Sequence, residues 1–374
     1  MAIGVIGLGN IGGHIAANLV ADGNEVIVHD VDADAMAAIG GAAGAPDVAT
    51  VGKQADVTLL SLPTPDVVSA VAAEWSNAAA PGAVLVDLST NSPAVVRALG
   101  QHLSGSGHHL VEAPLTGGAI GAEKRMLVFM VGGDDEPVAR VLPVLEPLGR
   151  ATFHVGALGL GNTMKLLNSL IAFTTTWVSL EGLAMATKAG IEVQKAVEIL
   201  RTAGASNFFI DRQVETIDGR GRPTQFALEL AAKDARLFVD WGSSLGAPMP
   251  VGVAVKGVLD GAVADGLGGA DWSELVAVAE QRADVALRWN PSSGVSPPVG
   301  RESETPRGGG SGISRCRARR PQRAAPSRRR GRRRRWRRAS GSRRSPRARS
   351  RRLARPPSVI AAPRVGRGPR EARP

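Results

Sequence analysis

Hydrophobic residues follow two alternating patterns along residues 1–155. Short runs rich in β-branched residues predict strands, and stretches with apolar residues at every third or fourth position predict helices between many of them. The predicted strands are Ile3–Ile6, Glu25–His29, Val57–Leu62, Ala83–Asp87, His109–Glu112, Val128–Val131 and Thr152–Val155. The predicted helices are Gly12–Ala21, Asp32–Ile39, Asp66–Trp75, Pro93–Leu103 and Glu136–Leu148. This alternation is typical of an α/β domain with a mainly parallel sheet.

The strand pattern ends after Gly156, and long helical patterns follow. They cover Asn162–Gly190, Val193–Arg201, Gln225–Leu245, Gly252–Asp265 and Asp271–Leu287. We therefore expect an α/β domain over residues 1–158 and an all-helical domain over residues 159–290. Residues 291–374 consist largely of Arg, Pro, Ser, Gly and Ala, so we expect a disordered tail without a core.

The net charge of +11 is concentrated in this tail. Residues 301–374 hold 27 of the 45 basic side chains, all of them Arg, and 3 of the 34 acidic ones, so the rest of the chain is acidic. A basic segment of this kind binds nucleic acid by neutralising phosphates. An out-of-frame extension explains it equally, because GC-rich DNA read in a wrong frame encodes these residues. The abrupt change in composition favours the second interpretation, and both remain open.

Composition also excludes several chemistries. The chain has no Tyr, which excludes a catalytic Tyr–Lys pair of the short-chain dehydrogenase kind, and its single Cys is Cys316 in the tail. The remainder therefore has no thiol nucleophile and no Cys-ligated zinc. The six His are scattered, so we expect no metal site. We expect neither a membrane span nor an export signal, and a cytoplasmic location.

A glycine-rich turn follows the first predicted strand and opens the first predicted helix. In such a turn the first Gly permits a tight bend, the second lets the backbone approach a pyrophosphate, and the third lets helix and strand pack closely. The free N–H groups of the helix then face the phosphates. A glycine-rich turn without a ligand is the alternative, but the strand–turn–helix context favours a cofactor site. Its candidate residues are Gly7, Leu8, Gly9, Asn10, Ile11 and Gly12.

The second predicted strand is followed by Asp30, at the position where a carboxylate binds the adenosine ribose. A carboxylate there repels a 2′-phosphate, so NAD is favoured over NADP; capping of the next helix is a compatible role. Leu62, Pro63 and Thr90 follow two further strands and are candidates for the same cofactor cleft, with ordinary loop and cap roles as the alternative.

Three other segments combine glycine, hydroxyl and lysine side chains. The first runs from Glu112 to Gly118, the second from Gly159 to Asn168 and the third from Phe226 to Asp234. Together with the glycine-rich turn, in this order and spacing over about residues 1 to 290, they resemble the β-hydroxyacid dehydrogenase family, which includes the 3-hydroxyisobutyrate and 6-phosphogluconate dehydrogenases.

The resemblance implies a dinucleotide-binding Rossmann-like domain over residues 1–158, a helical domain for substrate binding and oligomerisation over residues 159–290, and an active site between them. It implies that Lys165 is the catalytic acid/base and that Asn168 orients the substrate beside it. Thr116, Gly117 and Gly118 bind the substrate carboxylate, and Lys233 completes the site near substrate and nicotinamide. It also implies a homodimer or homotetramer. The family usually has Asp and Ser where this chain has Glu112 and Thr116, which leaves the particular substrate open.

The predicted function is NAD-dependent interconversion of a small β-hydroxy acid and its semialdehyde or keto acid. Lysine acts as a base only if its pKa, about 10.4 in water, is lowered, which a cleft and a neighbouring cation both achieve. Two alternatives remain: an imine reductase-like enzyme, and a non-catalytic dinucleotide-binding scaffold whose tail binds nucleic acid. Relatives with either function typically lack the catalytic Lys, and Lys165 is present.

Overall fold

The computed structural model describes residues 1–218 and 221–289. The predictions for the tail, which concern disorder, nucleic-acid binding and an out-of-frame origin, lie outside these residues. The described part of the chain forms one nine-stranded sheet followed by a helical region, as predicted. The strands are β1 (Ala2–Ile6), β2 (Glu25–His29), β3 (Ala43–Gly44), β4 (Val57–Leu60), β5 (Val84–Asp87), β6 (His109–Glu112), β7 (Leu115–Thr116), β8 (Leu127–Gly132) and β9 (Gly149–Gly156).

The sheet is mainly parallel and doubly wound. Its order is β3-β2-β1-β4-β5-β6-β8-β7, with β9 paired to β8. The first six strands in this order are parallel to one another, and β8 runs antiparallel to β6 and β7. The order reverses between β1 and β4, so loops after these strands meet at one edge, where ligands bind in such sheets.

Helices cover both faces of the sheet because successive strand residues point to opposite sides. In β5, Val84 and Val86 join one buried cluster and Leu85 joins the other. The helices of this region are α1 (Gly12–Ala21), α2 (Ala33–Ala37), α3 (Val48–Gln54), α4 (Pro65–Ser76), α5 (Pro93–Gly105), α6 (Gly118–Glu123) and α7 (Asp135–Leu145). Helices α1 and α7 pack on the first cluster, and α3, α4 and α5 pack on the second.

The sequence pattern missed α3 and α6. Helix α3 is seven residues long and is capped by the preceding residue, Asp47, whose carboxylate accepts the N–H of Thr50. Val48 and Val51 are buried under the sheet. A helix of two turns contains too few apolar residues to display a periodic pattern.

The helical region contains α8 (Leu160–Lys188), α9 (Val193–Thr202), α10 (Leu228–Ser244), α11 (Pro250–Ala262) and α12 (Leu275–Ala283). The prediction of one helix over 271–287 was wrong at its start. Asp271 accepts N–H groups of Gln225 and Ser273, so it holds a turn, and α12 begins only at Leu275. Residues 263–267 follow α11 directly as a wider helical turn, and the helical conformation is interrupted at Gly266, whose φ is 88°.

Helix α8 is 29 residues long, and by length and apolar composition alone it could span a membrane. It also contacts α9, α10, α11 and α12, and Leu166, Leu180 and Leu183 are buried in their shared core. A core helix of a folded domain satisfies the same length test, and the packing of α8 is of that kind. Strand β9 ends at Gly156 and α8 begins at Leu160; the exact domain limits at 158 and 290 stay predictions.

Candidate active site

The glycine-rich turn joins β1 to α1 and is held in place by the neighbouring strands. The N–H of Gly7 donates to the carbonyl of His29, and the N–H of Leu8 donates to Asp30 at 2.6 Å. Asp30 accepts the N–H of Asp32 with its other oxygen at 2.9 Å. The carboxylate predicted to bind ribose is therefore fixed beside the turn.

The glycines of the turn differ in the space around them. A Cβ on Gly12 would lie 1.8 Å from the carbonyl oxygen of Gly7, and one on Gly7 would lie 2.4 Å from that of Ser61. These two glycines permit close packing of the turn against α1 and β4. A Cβ on Gly9 would meet no described atom within 4 Å, because Gly9 faces open space at the start of α1. The backbone is thus open to a ligand at the position where a pyrophosphate approaches this type of turn.

A cleft of about 520 Å³ adjoins the turn. Leu8, Gly9 and Asn10 form one side, and Asp30 and Asp32 contribute carboxylates. The wall is completed by residues of α1 (Gly13, His14 and Ala17) and by apolar residues of α2 and the segment after it (Ala35, Ala38 and Ile39). The combination of free helix N–H groups, an open glycine and a fixed carboxylate fits a dinucleotide.

The side chain of Asn10 makes a contact that the sequence did not indicate. Its Nδ2 donates to the carbonyl of Thr224 at 2.9 Å and to that of Gln225 at 3.4 Å. These residues precede α10, so the helical region touches the glycine-rich turn. Of the other cofactor candidates, Leu62 donates its N–H to the hydroxyl of Ser89, which joins the loops after β4 and β5. Pro63 is exposed and Thr90 is half-buried in these loops.

Lys165 on α8 and Lys233 on α10 are close enough for the charge of Lys233 to act on Lys165. Lys165 is half-buried on the second turn of α8. Lys233 on α10 donates to the carbonyl of Thr90 at 3.0 Å and pairs with Asp234 at 3.2 Å. Asp234 is buried and also accepts the hydroxyl of Ser169 at 3.4 Å. This contact links α10 to α8 one turn beyond Lys165.

Burial lowers the pKa of Lys165 below its usual value; the negative charge of Asp234 opposes this shift, and the positive charge of Lys233 adds to it. A lysine of this kind loses its proton more readily than one in water. The pair of lysines therefore combines an amine of lowered pKa with a second cation that is held by Thr90 and Asp234.

The remaining predicted residues lie on neighbouring segments. Asn168 is half-buried on α8, three residues beyond Lys165 and hence on the same face. Thr116 is half-buried in β7, and Gly117 and Gly118 follow it with positive φ values of 131° and 64°. These backbone conformations favour glycine, most strongly at Gly117. The assignment of all these residues to substrate and cofactor stays a prediction.

Glu112 occupies a role that the sequence did not predict. It ends β6, is fully buried and accepts N–H groups of Gly159, Gly161 and Asn162 at the start of α8. The side chain of Asn162 also donates to it at 2.7 Å. Burial raises the pKa of Glu112, although these four hydrogen bonds act in the opposite direction.

A second buried carboxylate supports the loop after β5. Asp87 accepts the N–H of Ser89 at 2.9 Å and the side chain of Asn91 at 3.3 Å. Burial raises the pKa of Asp87, while the hydrogen bonds and the charge of Lys233 lower it. The N–H of Asn91 donates to the side chain of Asn162 at 2.7 Å. In the sequence, Glu112 and Asp87 stand out only as polar residues at the ends of buried strands. A residue in that position can equally well face a ligand, so the sequence did not indicate their structural role.

No group of three or more His, Cys, Asp or Glu that is arranged to hold a metal ion occurs within residues 1–218 and 221–289.

Two known domain families match this chain. Residues 2–156 match the NAD binding domain of 6-phosphogluconate dehydrogenase, and residues 159–279 match the domain described as NAD-binding of NADP-dependent 3-hydroxyisobutyrate dehydrogenase. Fold and site thus define an oxidoreductase with a dinucleotide-binding domain followed by a helical domain.

Individual proteins that are similar to this chain are named as dehydrogenases of the same class. The chain is 32% identical over 283 residues to the probable mitochondrial 3-hydroxyisobutyrate dehydrogenase of Dictyostelium discoideum, covering 72% of this chain and 88% of the relative. It is 29% identical over 291 residues to 2-(hydroxymethyl)glutarate dehydrogenase of Eubacterium barkeri, covering 76% and 97%. The structure matches that of Mycobacterium tuberculosis 3-hydroxyisobutyrate dehydrogenase with L-serine at a TM-score of 0.69 and 28% identity, covering 74% and 98% of the two chains.

The chain belongs to the β-hydroxyacid dehydrogenase family, as the sequence motifs predicted. Its relatives identify it as an NAD(P)-dependent hydroxyacid dehydrogenase of the 3-hydroxyisobutyrate dehydrogenase type.

Proposed function

We propose that this enzyme interconverts a small β-hydroxy acid and its semialdehyde or keto acid, with NAD as the preferred cofactor and Lys165 as the acid/base. The observation that carries the proposal is the environment of Lys165. Its pKa is lowered by burial; the negative charge of Asp234 opposes this shift, and the positive charge of Lys233 adds to it. A lysine whose pKa is lowered in this way loses its proton more readily than a lysine in water, as a general base requires.

NAD bound in the cleft beside Gly9 and Asp30 supplies the hydride acceptor for oxidation and, once reduced, the donor for the reverse reaction. Lys165 contributes the proton transfer. In the oxidative direction its neutral Nζ accepts the proton of the substrate hydroxyl. In the reductive direction its protonated Nζ donates a hydrogen bond to the carbonyl oxygen and then transfers the proton.

The other residues bind and orient the substrate. Asn168 hydrogen-bonds the reacting oxygen beside Lys165. The N–H groups of Gly117 and Gly118 and the hydroxyl of Thr116 bind the carboxylate. Lys233 holds its ammonium between the substrate and the carbonyl of Thr90, its hydrogen-bond partner, and keeps Lys165 acidic through its positive charge.

The preference for NAD rests on the carboxylates in the cofactor cleft. Asp30 and Asp32 both line the cleft. A carboxylate accepts hydrogen bonds from ribose hydroxyls and repels a 2′-phosphate. The held position of Asp30, fixed by the N–H groups of Leu8 and Asp32, supports this preference.

A substrate screen tests the proposal. NADH formation is followed at pH 9 with 3-hydroxyisobutyrate, L-serine, glycerate, threonate and 2-(hydroxymethyl)glutarate, and each reaction is repeated with NADP. We expect turnover of at least one of these acids, with a higher kcat/KM for NAD. Lack of turnover with all of them, or a clear preference for NADP, contradicts the proposal.

We also propose that the enzyme is a homo-oligomer and that it is located in the cytoplasm. A homodimer or homotetramer follows from the family resemblance, and α8 presents exposed apolar side chains (Leu167, Ile171, Val178 and Met185) that suit a second copy of the chain.

A cytoplasmic location is tested by fractionation of the source cells. Mass spectrometry of the native protein decides whether the Arg-rich tail belongs to the working enzyme, and nucleic acid is a partner only if it does.

A further inference from the structure

The N-terminus of α8 is capped by a distant residue. Helices usually begin with a residue whose own side chain accepts an N–H group of the first turn. Here the residue before the helix is Gly159, which has no side chain and a φ of 89°. Glu112, at the end of β6, replaces the missing cap by accepting the N–H groups of Gly161 at 2.9 Å and of Asn162 at 3.0 Å, together with that of Gly159. The cap therefore ties α8 to the sheet, where a local cap would leave the helix free to shift.

Two glycines make room for this carboxylate. A Cβ on Gly132 would lie 2.3 Å from Oε1 of Glu112, and one on Gly161 would lie 3.1 Å from its Cδ. Gly132 is paired with Glu112 across β8 and β6. Because the side chain is enclosed on both sides and fully buried, its position, and with it the start of α8, is closely defined.

Asn162 extends the cap to the loop after β5. Its Nδ2 donates to Glu112 at 2.7 Å, and its Oδ1 accepts the N–H of Asn91 at 2.7 Å. Both asparagines are fully buried. The carbonyl of Thr90, the residue before Asn91, accepts the ammonium of Lys233. Hydrogen bonds from Glu112 through Asn162 to Asn91, followed by the Thr90–Asn91 peptide bond, thus connect the start of α8 to the carbonyl that holds Lys233.

Lys165 lies three residues beyond Asn162, on the next part of the same helix. The groups that face it from α10 are Lys233 and Asp234, whose charges act on it in opposite directions. A displacement of the first turn of α8 changes the distance of the Lys165 amine from both of these groups and from water.

We propose that Glu112 and Asn162 are positioning residues that hold Lys165 in register with Lys233 for proton transfer. We call their joined side chains the Glu112–Asn162 clamp. This inference rests on the proposed function for its effect on turnover, but its effect on Lys165 itself is measurable without turnover. Because a displacement of about 1 Å in an active site lowers rates by about 100-fold, the clamp controls kcat although neither residue contacts the substrate.

The test compares three full-length variants with the wild type. Glu112→Gln places an amide where the carboxylate accepts N–H groups, and Asn162→Ala cuts the link to Asn91 while keeping Glu112. Thr58→Val is the matched control: Thr58 is fully buried and accepts the indole N–H of Trp75 at 3.0 Å, so the variant also loses one buried hydrogen bond. Thr58 lies in β4, outside the clamp.

Two readouts are taken. The reactivity of Lys165 toward acetic anhydride is measured by mass spectrometry from pH 6 to 11, with exposed Lys124 as an internal reference, and kcat, KM and NADH affinity are determined in parallel. In both clamp variants we expect the midpoint of Lys165 to rise, because burial is the main cause of its lowered pKa and a displaced amine is less buried. We expect kcat to fall by about 10- to 100-fold. NADH affinity should stay within about threefold of that of the wild type, since the glycine-rich turn is untouched. Thr58→Val should lower Tm by a few degrees and change neither readout.

The clamp is contradicted if the two variants lose thermal stability as Thr58→Val does but keep the Lys165 profile and kcat of the wild type. If Glu112→Gln does not fold, Asn162→Ala decides the question, because it retains the buried carboxylate and its backbone donors. If the wild type oxidises no hydroxy acid, the proposed function fails and the Lys165 profile alone tests the clamp.

Discussion

Replacement of Gly9 by Ala separates cofactor binding from folding. A Cβ at this position meets no described atom within 4 Å, and Gly9 is not among the glycines with positive φ. An Ala therefore fits the backbone of the unliganded enzyme. Where the backbone allows it, Gly→Ala stabilises a protein by about 0.4–1 kcal/mol because the unfolded chain loses freedom. We expect the Tm of Gly9→Ala to stay the same or rise by about 1–4 °C.

The same methyl group blocks the approach of the cofactor. The second glycine of this turn is the one that lets the backbone approach the pyrophosphate. Hydrogen bonds to charged groups contribute about 1.5–3 kcal/mol each. Loss of even one corresponds to roughly a 10- to 150-fold weaker Kd. We expect Gly9→Ala to bind NADH weaker by at least this factor.

Gly12→Ala is the contrasting variant. Its Cβ would lie 1.8 Å from the carbonyl oxygen of Gly7, which is far inside a normal contact and forces the turn or α1 to move. Overpacking of this kind costs about 1–3 kcal/mol or more, so its Tm should fall by several degrees. NADH fluorescence titration and thermal unfolding of the unliganded protein give both quantities. The reasoning is refuted if Gly9→Ala keeps the NADH affinity of the wild type, or if it loses stability as Gly12→Ala does.

Three further outcomes follow from the site and the surface. Asp30→Asn should raise the NADP/NAD ratio of kcat/KM by about 10-fold or more, because the charge that repels a 2′-phosphate is removed, while Asp32→Asn should have less effect; equal ratios in wild type and Asp30→Asn contradict the cofactor assignment. Asp234→Asn should move the acid limb of the oxidation rate to lower pH, because the charge of Asp234 raises the pKa of Lys165; a limb that stays or moves to higher pH argues against Lys165 as the base. Light scattering after gel filtration should give two or four times the mass of one chain, and Ile171→Asp, at an exposed apolar position of α8, should reduce it; a monomeric wild type removes the oligomer proposal.

The long helices were predictable from sequence because each buries one face, and the central strands were predictable because they are short runs of β-branched residues buried on both faces. The β-branched runs of β1, β2, β4, β5 and β6 read directly as strands, and α1 has the predicted bounds of Gly12–Ala21. Short elements such as α3 were missed, since two turns carry too few apolar positions for a period. The start of α12 was misplaced because Asp271 forms a turn with segments distant in the chain.

In the candidate site, too, residues in local motifs were predictable from the sequence, whereas contacts between distant segments were not. Lys165 and Lys233 were identifiable because each lies in a motif of neighbouring residues with a characteristic spacing. The contact of Glu112 with the start of α8 was not, since it joins residues 47 to 50 positions apart. It also depends on the backbone at Gly132 and Gly161, where a side chain would collide with the carboxylate. Such a contact depends on the path of two strands and a helix, and no local pattern encodes it.

The central claim is that Lys165 performs the proton transfer. The most direct measurement is NADH formation by the wild type and by Lys165→Ala with the best substrate of the screen, accompanied by NADH titration of both proteins. General acid–base catalysis contributes about 100- to 10,000-fold to a rate, so the account predicts a loss of kcat in this range with NADH affinity unchanged. Turnover by Lys165→Ala within a few fold of the wild type would contradict it.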